Sequence, residues 1–420
     1  MVLSEMENWA VKKGIDVLSA SDFTHPLWFR ELKAQLVSDG EGIYKLNPPA
    51  GGQNSKIRFI LSTEISSIYS QGGKTRRVHN LVFMPNLESV EKFNSELLKR
   101  GCNLSADGRP IIGLSSRNLL ELVLSIDKKA FLIPCHAWTP WFSLYGSNSG
   151  FDSIEECFQD LASEIFGIET GLSSDPEMNW RIKELDNRSI LSFSDAHSAI
   201  KMGREATVFD LSSLSFTNIK NAIKKDGDSK ISYTIEFYPE EGKYHYTGHR
   251  VCRITQTPQE TEKNGVICPV CKRPLTVGVM HRVEKLAQRP TNIKTAADEF
   301  GVTWVEDPTN LHPKYVKLVP LVEIIAESAG VMPGSIRVLN TYDEMINKFG
   351  SEFNILLKTS ISDLEKSFGE KIGQGVAKVR KQEIKVDPGF DGEFGKVKIW
   401  DERKLKEISE KKEESQLGLF

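Results

Sequence analysis

Cysteine is scarce in this sequence, with six among 420 residues. That excludes a disulfide-stapled fold, and three of the six (Cys252, Cys268, Cys271) cluster in the way metal ligands do. Net charge is also nearly absent, since 54 basic and 57 acidic side chains leave about −3. A nucleic-acid surface must then be a local patch, because the overall balance does not attract phosphate. Long apolar runs are missing too. The longest uncharged stretch, 130–151, carries prolines, a histidine and many polar residues, so it is no membrane span. The opening "MVLSEMENWAVKKG" is charged throughout and lacks a secretory pattern, and a cytoplasmic protein is the expectation. What remains is 39% apolar and 26% charged, the composition of a soluble globular chain long enough for two or three domains.

From residue 15 to about 195 one theme repeats: a β-rich apolar run, a polar or reactive cluster, then a helical pattern. "GIDVLSASDFTHP" places Asp22 and His25 after its strand, "KIRFILSTEIS" ends near Glu64, and "RRVHNLVFMP" carries His79 early in its run. "KKAFLIPCHAWTP" delivers Cys135 and His136, "SEIFGIETGLSSD" delivers Glu169 and Asp175, and "RSILSFSDAHS" delivers Asp195 and His197. Helices are expected near 86–100, 115–127, 153–162 and 177–186, lengths that suit βα crossovers. In such folds reactive side chains gather at the carboxyl ends of strands. Taken singly, each residue is an ordinary cap or turn residue. Together they describe an oxygen- and imidazole-rich metal centre of the kind used for hydrolysis. His79 departs from the rule, because it lies at the wrong end of its run.

After residue 210 the theme stops. His249-x2-Cys252, then fifteen residues, then Cys268-x2-Cys271 is the spacing of a structural zinc ribbon. His245 is the alternative fourth ligand. Residues 280–375 read as helical, and "IKVDPGFDGEFGKVKIW" reads as two strands joined by a glycine-rich turn. A mixed-charge tether leads to a terminal "QLGLF". Its spaced Leu417, Leu419 and Phe420 after Gln416 are apolar anchors of the sort a folded domain buries. The pattern looks like the peptide by which bacterial repair and replication proteins dock on the sliding clamp, and such a tether would raise local concentration on DNA.

In their order, "SASDFTHPLW", "LSTEIS", "PCHAWTPWFSLYGSNSGFDS", "ETGLSSDPEMNW" and "SDAHS…MGREA" resemble endonuclease Q, a DNA-repair nuclease built on a PHP (polymerase and histidinol phosphatase) domain. The resemblance extends through the cysteine knuckles, "VMHRVEKLAQR" and the helical tail. It implies an α/β fold with four parts: a PHP-type distorted (β/α) barrel over 1–210, a small zinc-ribbon-like module over 211–285, a helical region over 286–400, and a clamp-binding tether over 401–420. It also implies a cytoplasmic, nucleoid-associated endonuclease that cuts 5′ of uracil, hypoxanthine, xanthine or an abasic site in DNA. Residue by residue, Glu64 would bridge ions, with His79 and His136 on one of them. Asp195 and His197 would close the site, with Asp22 or His25 contributing, and Zn2+, Mg2+ or Mn2+ would be bound. Trp138, Trp141, Tyr145 and Ser173 would line a pocket for a base taken out of the stack. Lys74, Arg76, Arg77, Lys272 and Arg273 are candidate phosphate contacts.

One departure stands out. PHP proteins open on a strand with an H-x-H pair that shares an ion with the aspartate aligned to Asp195, and this chain has no H-x-H. Either the start is assigned too late or one metal position is lost. The intact remainder of the ligand set favours the first. The alternatives to a nuclease are a lesion-binding protein without catalysis and a phosphoesterase acting on a small phosphomonoester.

Overall fold

The computed structural model describes residues 1–48, 50 and 55–400. The expected clamp-binding residues Gln416, Leu417, Leu419 and Phe420, and the whole 401–420 tether, lie outside the described residues. A seven-stranded mixed sheet forms the first half. Its strands are β1 (Val17–Ala20), β2 (Leu36–Ser38), β3 (Tyr44–Leu46), β4 (Arg58–Gln71), β5 (Lys74–Met84), β6 (Ile111–Ile112) and β7 (Phe131–Pro134). The order is β2-β3-β4-β5-β7, with β1 and β6 also paired to β4 in parallel. The helices Leu87–Lys99 and Ser116–Ile126 begin where expected, each at a capping side chain (Asn86, Ser115) that accepts a backbone N–H.

β4 and β5 are not joined by a crossover. They form one long antiparallel hairpin closed by Gln71 and Lys74. The two loop residues, Gly72 and Gly73, have φ of 61° and 72°. A two-residue turn with both centres at positive φ matches the twist of the flanking strands, and glycine adopts it at least cost. This departs from the repeated βα-crossover theme and explains His79. Because β5 runs back along β4, a residue early in β5 lies beside one late in β4.

β8 (Gly167–Glu169) and β9 (Ser189–Leu191) form a short parallel pair. A second sheet of five strands has the order β10-β11-β16-β15-β14. Its members are β10 (Ala206–Asp210), β11 (Lys230–Glu236), β14 (Lys294–Ala297), β15 (Thr303–Glu306) and β16 (Lys314–Lys317), while β12 (Thr247–His249) and β13 (Ile254–Gln256) form a separate small hairpin. The second sheet therefore draws strands from three of the expected segments, and divisions at 210 and 285 do not follow the strands. The helical reading of 280–375 is corrected over β14 to β16. "YVKLVPLVEIIA" fits a helical period, but Pro320 cannot sit inside a helix, so strand β16 ends before it and the helix Leu321–Ala329 begins after it.

Beyond that point the reading holds: the helices Ile336–Phe349, Glu352–Leu357, Ile361–Phe368 and Glu370–Arg380 share one core with the second sheet. Lys385–Asp387 and Lys396–Lys398 then pair as the expected terminal hairpin. The first helix, Leu3–Lys13, is tied to this core by a buried ion pair, Lys13 Nζ to Glu352 Oε2 at 2.6 Å. Tyr342 and the Leu321 N–H donate to the same carboxylate. Among the described residues no helix is long and apolar enough to cross a membrane.

Candidate metal centre

Antiparallel register pairs Ser66 with His79, which puts Glu64, on the same face of β4, diagonal to that histidine. β7 runs antiparallel on the other side of β5, pairing Pro134 with Asn80. The residues after its end, Cys135 and His136, return to the same place. Glu64 Oε1 lies 2.7 Å from His79 Nδ1 and 3.2 Å from His136 Nε2, and the two ring nitrogens are 3.2 Å apart. Cys135 Sγ is 3.7 Å from both Glu64 Oε1 and His136 Nε2. His136 has φ of 32°, a left-handed conformation. It is held there by its N–H, which donates to Glu169 Oε2 at 2.7 Å, and by the close approach of Gly171.

The charges fit this geometry. Burial alone would raise Glu64, but hydrogen bonds and charge from His136 and His79 bring its carboxyl well below the usual range. Burial lowers His79 despite Glu64. For His136, burial is outweighed by Glu64 and more distant carboxylates, and the ring is raised. Burial pushes Glu169 up to about 8.

Glu64, Cys135 and His136 border a cavity of about 1330 Å³, which Asp22, Asp107, Arg109, Glu169, Asp195, His197 and Glu205 also line, while His79 is buried beside Glu64 and His136. Between the two candidates after β1, the cavity receives Asp22, raised by burial and by Glu64. His25 is instead the residue preceding the helix Pro26–Gln35 and is not among the cavity's lining residues. Asp195 and His197 reach the rim only. The His197 side chain is 85% exposed, and its Nδ1 is 3.9 Å from Asp195 Oδ1. Among the described residues, β1 pairs only with β4.

A metal ion fits the buried group. Donors about 2.0–2.1 Å from a tetrahedral ion stand roughly 3.3 Å from one another, and the three edges among Glu64, His79 and His136 are 2.7, 3.2 and 3.2 Å. His136 Nδ1 is buried without a hydrogen-bond partner, so nothing else engages the ring's other nitrogen. Glu64, Cys135 and His136 also form a set whose ligand atoms lie within 4.8 Å of one another. The sequence placed Cys135 and Glu169 at strand ends without a role. Arg109, whose Nη1 is 3.4 Å from Glu64 Oε1, was not legible at all, because it arrives from a loop with no pattern.

The second expected group also comes together: the ligand atoms of His249, Cys252, Cys268 and Cys271 lie within 4.8 Å of one another. His249 Nδ1 is 3.4 Å from Cys271 Sγ. His245 is outside this set and buried.

The base-pocket expectation needs correction. Trp138 and Tyr145 are wholly buried and stack on each other at 4.6 Å. The Trp138 Nε1–H donates to Asn179 and the Tyr145 hydroxyl to Glu184, so both are satisfied core residues with no face for a base. Trp141 is half-buried against Tyr244 at 5.6 Å, and Ser173 is buried near Gly242. Of the candidate phosphate contacts, the Arg76 guanidinium is committed to Gly150 O and the Phe151 ring, and Arg77 is half-buried. Lys74, Lys272 and Arg273 are exposed.

Comparison with known proteins agrees with this architecture. Residues 320–383 match the family described as the MJ0043 C-terminal domain. The chain is 30% identical to the uncharacterized protein YqxK of Bacillus subtilis over 92% of its own length and 89% of that protein. It is 32% identical to the uncharacterized protein MJ0043 of Methanocaldococcus jannaschii over 62% of this chain but only 31% of that one. Among solved structures it is similar to the lesion-specific endonuclease PfuEndoQ of Pyrococcus furiosus, with a TM-score of 0.79 and 28% identity over 96% of this chain and 91% of that one. It is equally similar to endonuclease Q in complex with a 27-mer duplex bearing an abasic lesion at the active site, with a TM-score of 0.80 and 29% identity over 96% and 92%. With one fold shared over nearly its whole length, the chain belongs to the endonuclease Q family.

Proposed function

We propose that this protein is a metal-dependent DNA-repair endonuclease that hydrolyses the phosphodiester 5′ of a deaminated base (uracil, hypoxanthine or xanthine) or an abasic site. The observation that carries the reading is the convergence of His79 and His136 on one oxygen of Glu64 in the wall of a large cavity. A metal there, Zn2+ or in its place Mg2+ or Mn2+, would supply a water nucleophile near neutral pH and neutralise charge on the phosphate oxygens. Glu64, His79 and His136 would hold it, and Asp22, Asp195 and His197 would complete the ligand set around the cavity. Glu169 orients His136 through its backbone N–H. Arg109, half-exposed at the cavity, offers guanidinium donors to a phosphodiester. The fold we assign is a distorted barrel of the PHP type, and His249, Cys252, Cys268 and Cys271 would bind a structural zinc. Duplex or single-stranded damaged DNA is the partner, in the cytoplasm at the nucleoid, with the terminal QLGLF docking on the sliding clamp.

The test is incubation with duplex DNA carrying a single uracil or abasic site, with each metal in turn, and mapping of the cut. A nick 5′ of the lesion is expected, and no nick with any metal overturns the reading. A second reading, lesion binding without cleavage, is favoured by the exposed positions of Asp195 and His197. It requires selective binding of lesion DNA at every metal concentration without a cut. Measuring binding and cutting side by side on the same lesion duplex separates the two. Hydrolysis of an aryl phosphate at an ordinary enzymatic rate, with no nick, would instead favour the phosphomonoesterase.

A further inference from the structure

The turn that carries Asp195 and His197 packs Phe193 and Ala196 against the neighbouring cores, but few hydrogen bonds hold its backbone. Below it, Ser192 is anchored to Thr207 in both directions. Above it, the Lys201 N–H donates to Ser198 O. Between these points Asp195 holds φ of 41°, a left-handed conformation that costs a non-glycine residue about 1–2 kcal/mol unless its surroundings fix it. Within the turn, His197 Nδ1 sits 3.2 Å from Asp195 O. Among the described residues, the hydrogen bonds that reach the backbone of 193–197 from outside the turn come from one side chain. Arg204 Nε donates to Ser194 O at 2.8 Å and its Nη2 donates to Asp195 O at 3.0 Å. One rigid fork therefore grips the carbonyls on both sides of the Asp195 Cα.

Arg204 is suited to this. It is half-buried with its guanidinium 5.9 Å from the Phe237 ring, and it directly precedes Glu205 and strand β10, which is anchored in the second sheet. Among the described residues no carboxylate lies within 4.0 Å of it in an ion pair, so its donors are committed to carbonyls. Lysine could not reproduce this, since a single ammonium lacks the planar pair of donors.

We propose that Arg204 is a positioning residue that presets the Asp195–His197 turn for metal binding, linking the metal centre to the second sheet. This rests on the proposed function, in which Asp195 and His197 are ligands. Partners that orient metal ligands contribute roughly 10–100-fold to metal affinity.

The test compares wild type with Arg204→Ala, Arg204→Gln and Arg204→Lys in the full chain. In hydrogen exchange of the metal-free proteins, faster exchange confined to amides 194–198 is expected for all three, least for Arg204→Lys. With Mn2+ titrated into the nicking assay, half-saturation should rise about 10–100-fold while turnover at saturating Mn2+ largely recovers. A purely structural role would lower thermal stability and turnover without moving the metal requirement. The proposal is overturned by unchanged exchange at 194–198, or by an unchanged Mn2+ requirement in a folded variant. Should Arg204→Ala fail to fold, Arg204→Lys and Arg204→Gln carry the same comparison. An inactive wild type defeats the proposed function instead, and the exchange measurement still decides whether Arg204 holds the turn.

Discussion

The cavity has two unlike walls. On one, Glu64 and His136, with the buried His79 against them, come from a continuous hairpin and an adjacent strand, each ring or carboxylate engaged by the others. On the other, Asp195 and His197 stand on a solvent-facing turn gripped by Arg204. The first wall is preorganised by sheet register, whereas the second depends on a few hydrogen bonds to a loop. Preorganised donors lose little entropy when an ion arrives, while loop donors must be ordered at that moment. The walls should therefore respond differently to damage.

The largest expected difference is between Glu64→Gln and His197→Ala. Glu64 is the atom shared by both histidines, so its loss should remove metal from the site and reduce nicking by more than about a hundredfold, beyond the range of orienting partners. His197→Ala should retain metal on the buried wall, measurable by elemental analysis against a count that includes the cysteine site. Equal metal loss in the two variants would erase the distinction between the walls.

Legibility from sequence followed the same division. Strand-end chemistry was readable from the apolar runs for Asp22, His136, Glu169 and Asp195, which end or closely follow β1, β7, β8 and β9, whereas Glu64, expected at the end of its run, lies in the middle of the longer strand β4. Relative direction was not readable from those runs, and the direction of β5 decides where His79 points. The signal was present in Gly72–Gly73, a two-residue hairpin turn. Trp138 and Tyr145 misled because aromatics after a reactive histidine suit a pocket and a core equally well, and only the partners Asn179 and Glu184 distinguish them. The short strand β16 was masked by a helical period that Pro320 should have interrupted. The cysteine group was the most legible, since knuckle spacing is local and needs no tertiary information.

A milder way to break the buried wall is Gly171→Ala. Gly171 has φ of 59°, and a Cβ there would lie 2.6 Å from His136 Cβ and 2.7 Å from its Cα. Neither is a flexible side-chain end, so His136 must shift. Destabilisation of about 2–3 kcal/mol is expected from left-handed strain plus overpacking, read by chemical denaturation, together with weaker metal binding. Ala196→Gly on the loop wall should leave denaturation within about 1 kcal/mol of wild type.

Smaller still is a pH effect behind the cavity. Ala206 pairs with Ile235 in antiparallel register, so Glu205 and Glu236 are the next pair across, and both are buried. Burial, then the neighbouring charge, raises Glu205 well above its ordinary value. Burial pushes Glu236 up to about 7 despite hydroxyl donors on Ser192 and Thr234. In the unfolded chain both titrate near 4.5, so their neutral forms incur no charge-burial cost below that pH. As pH rises toward and through about 7, the folded protein must ionise a buried carboxyl that the unfolded chain has already ionised. Stability is therefore lost with rising pH. The Tm of metal-free protein should fall by several degrees between about pH 5 and 8.5, and Glu236→Gln, which keeps an acceptor for both hydroxyls, should flatten that slope. An unchanged slope in the variant would place the pH sensitivity on other carboxyls that burial raises, Glu169 and Glu241 foremost.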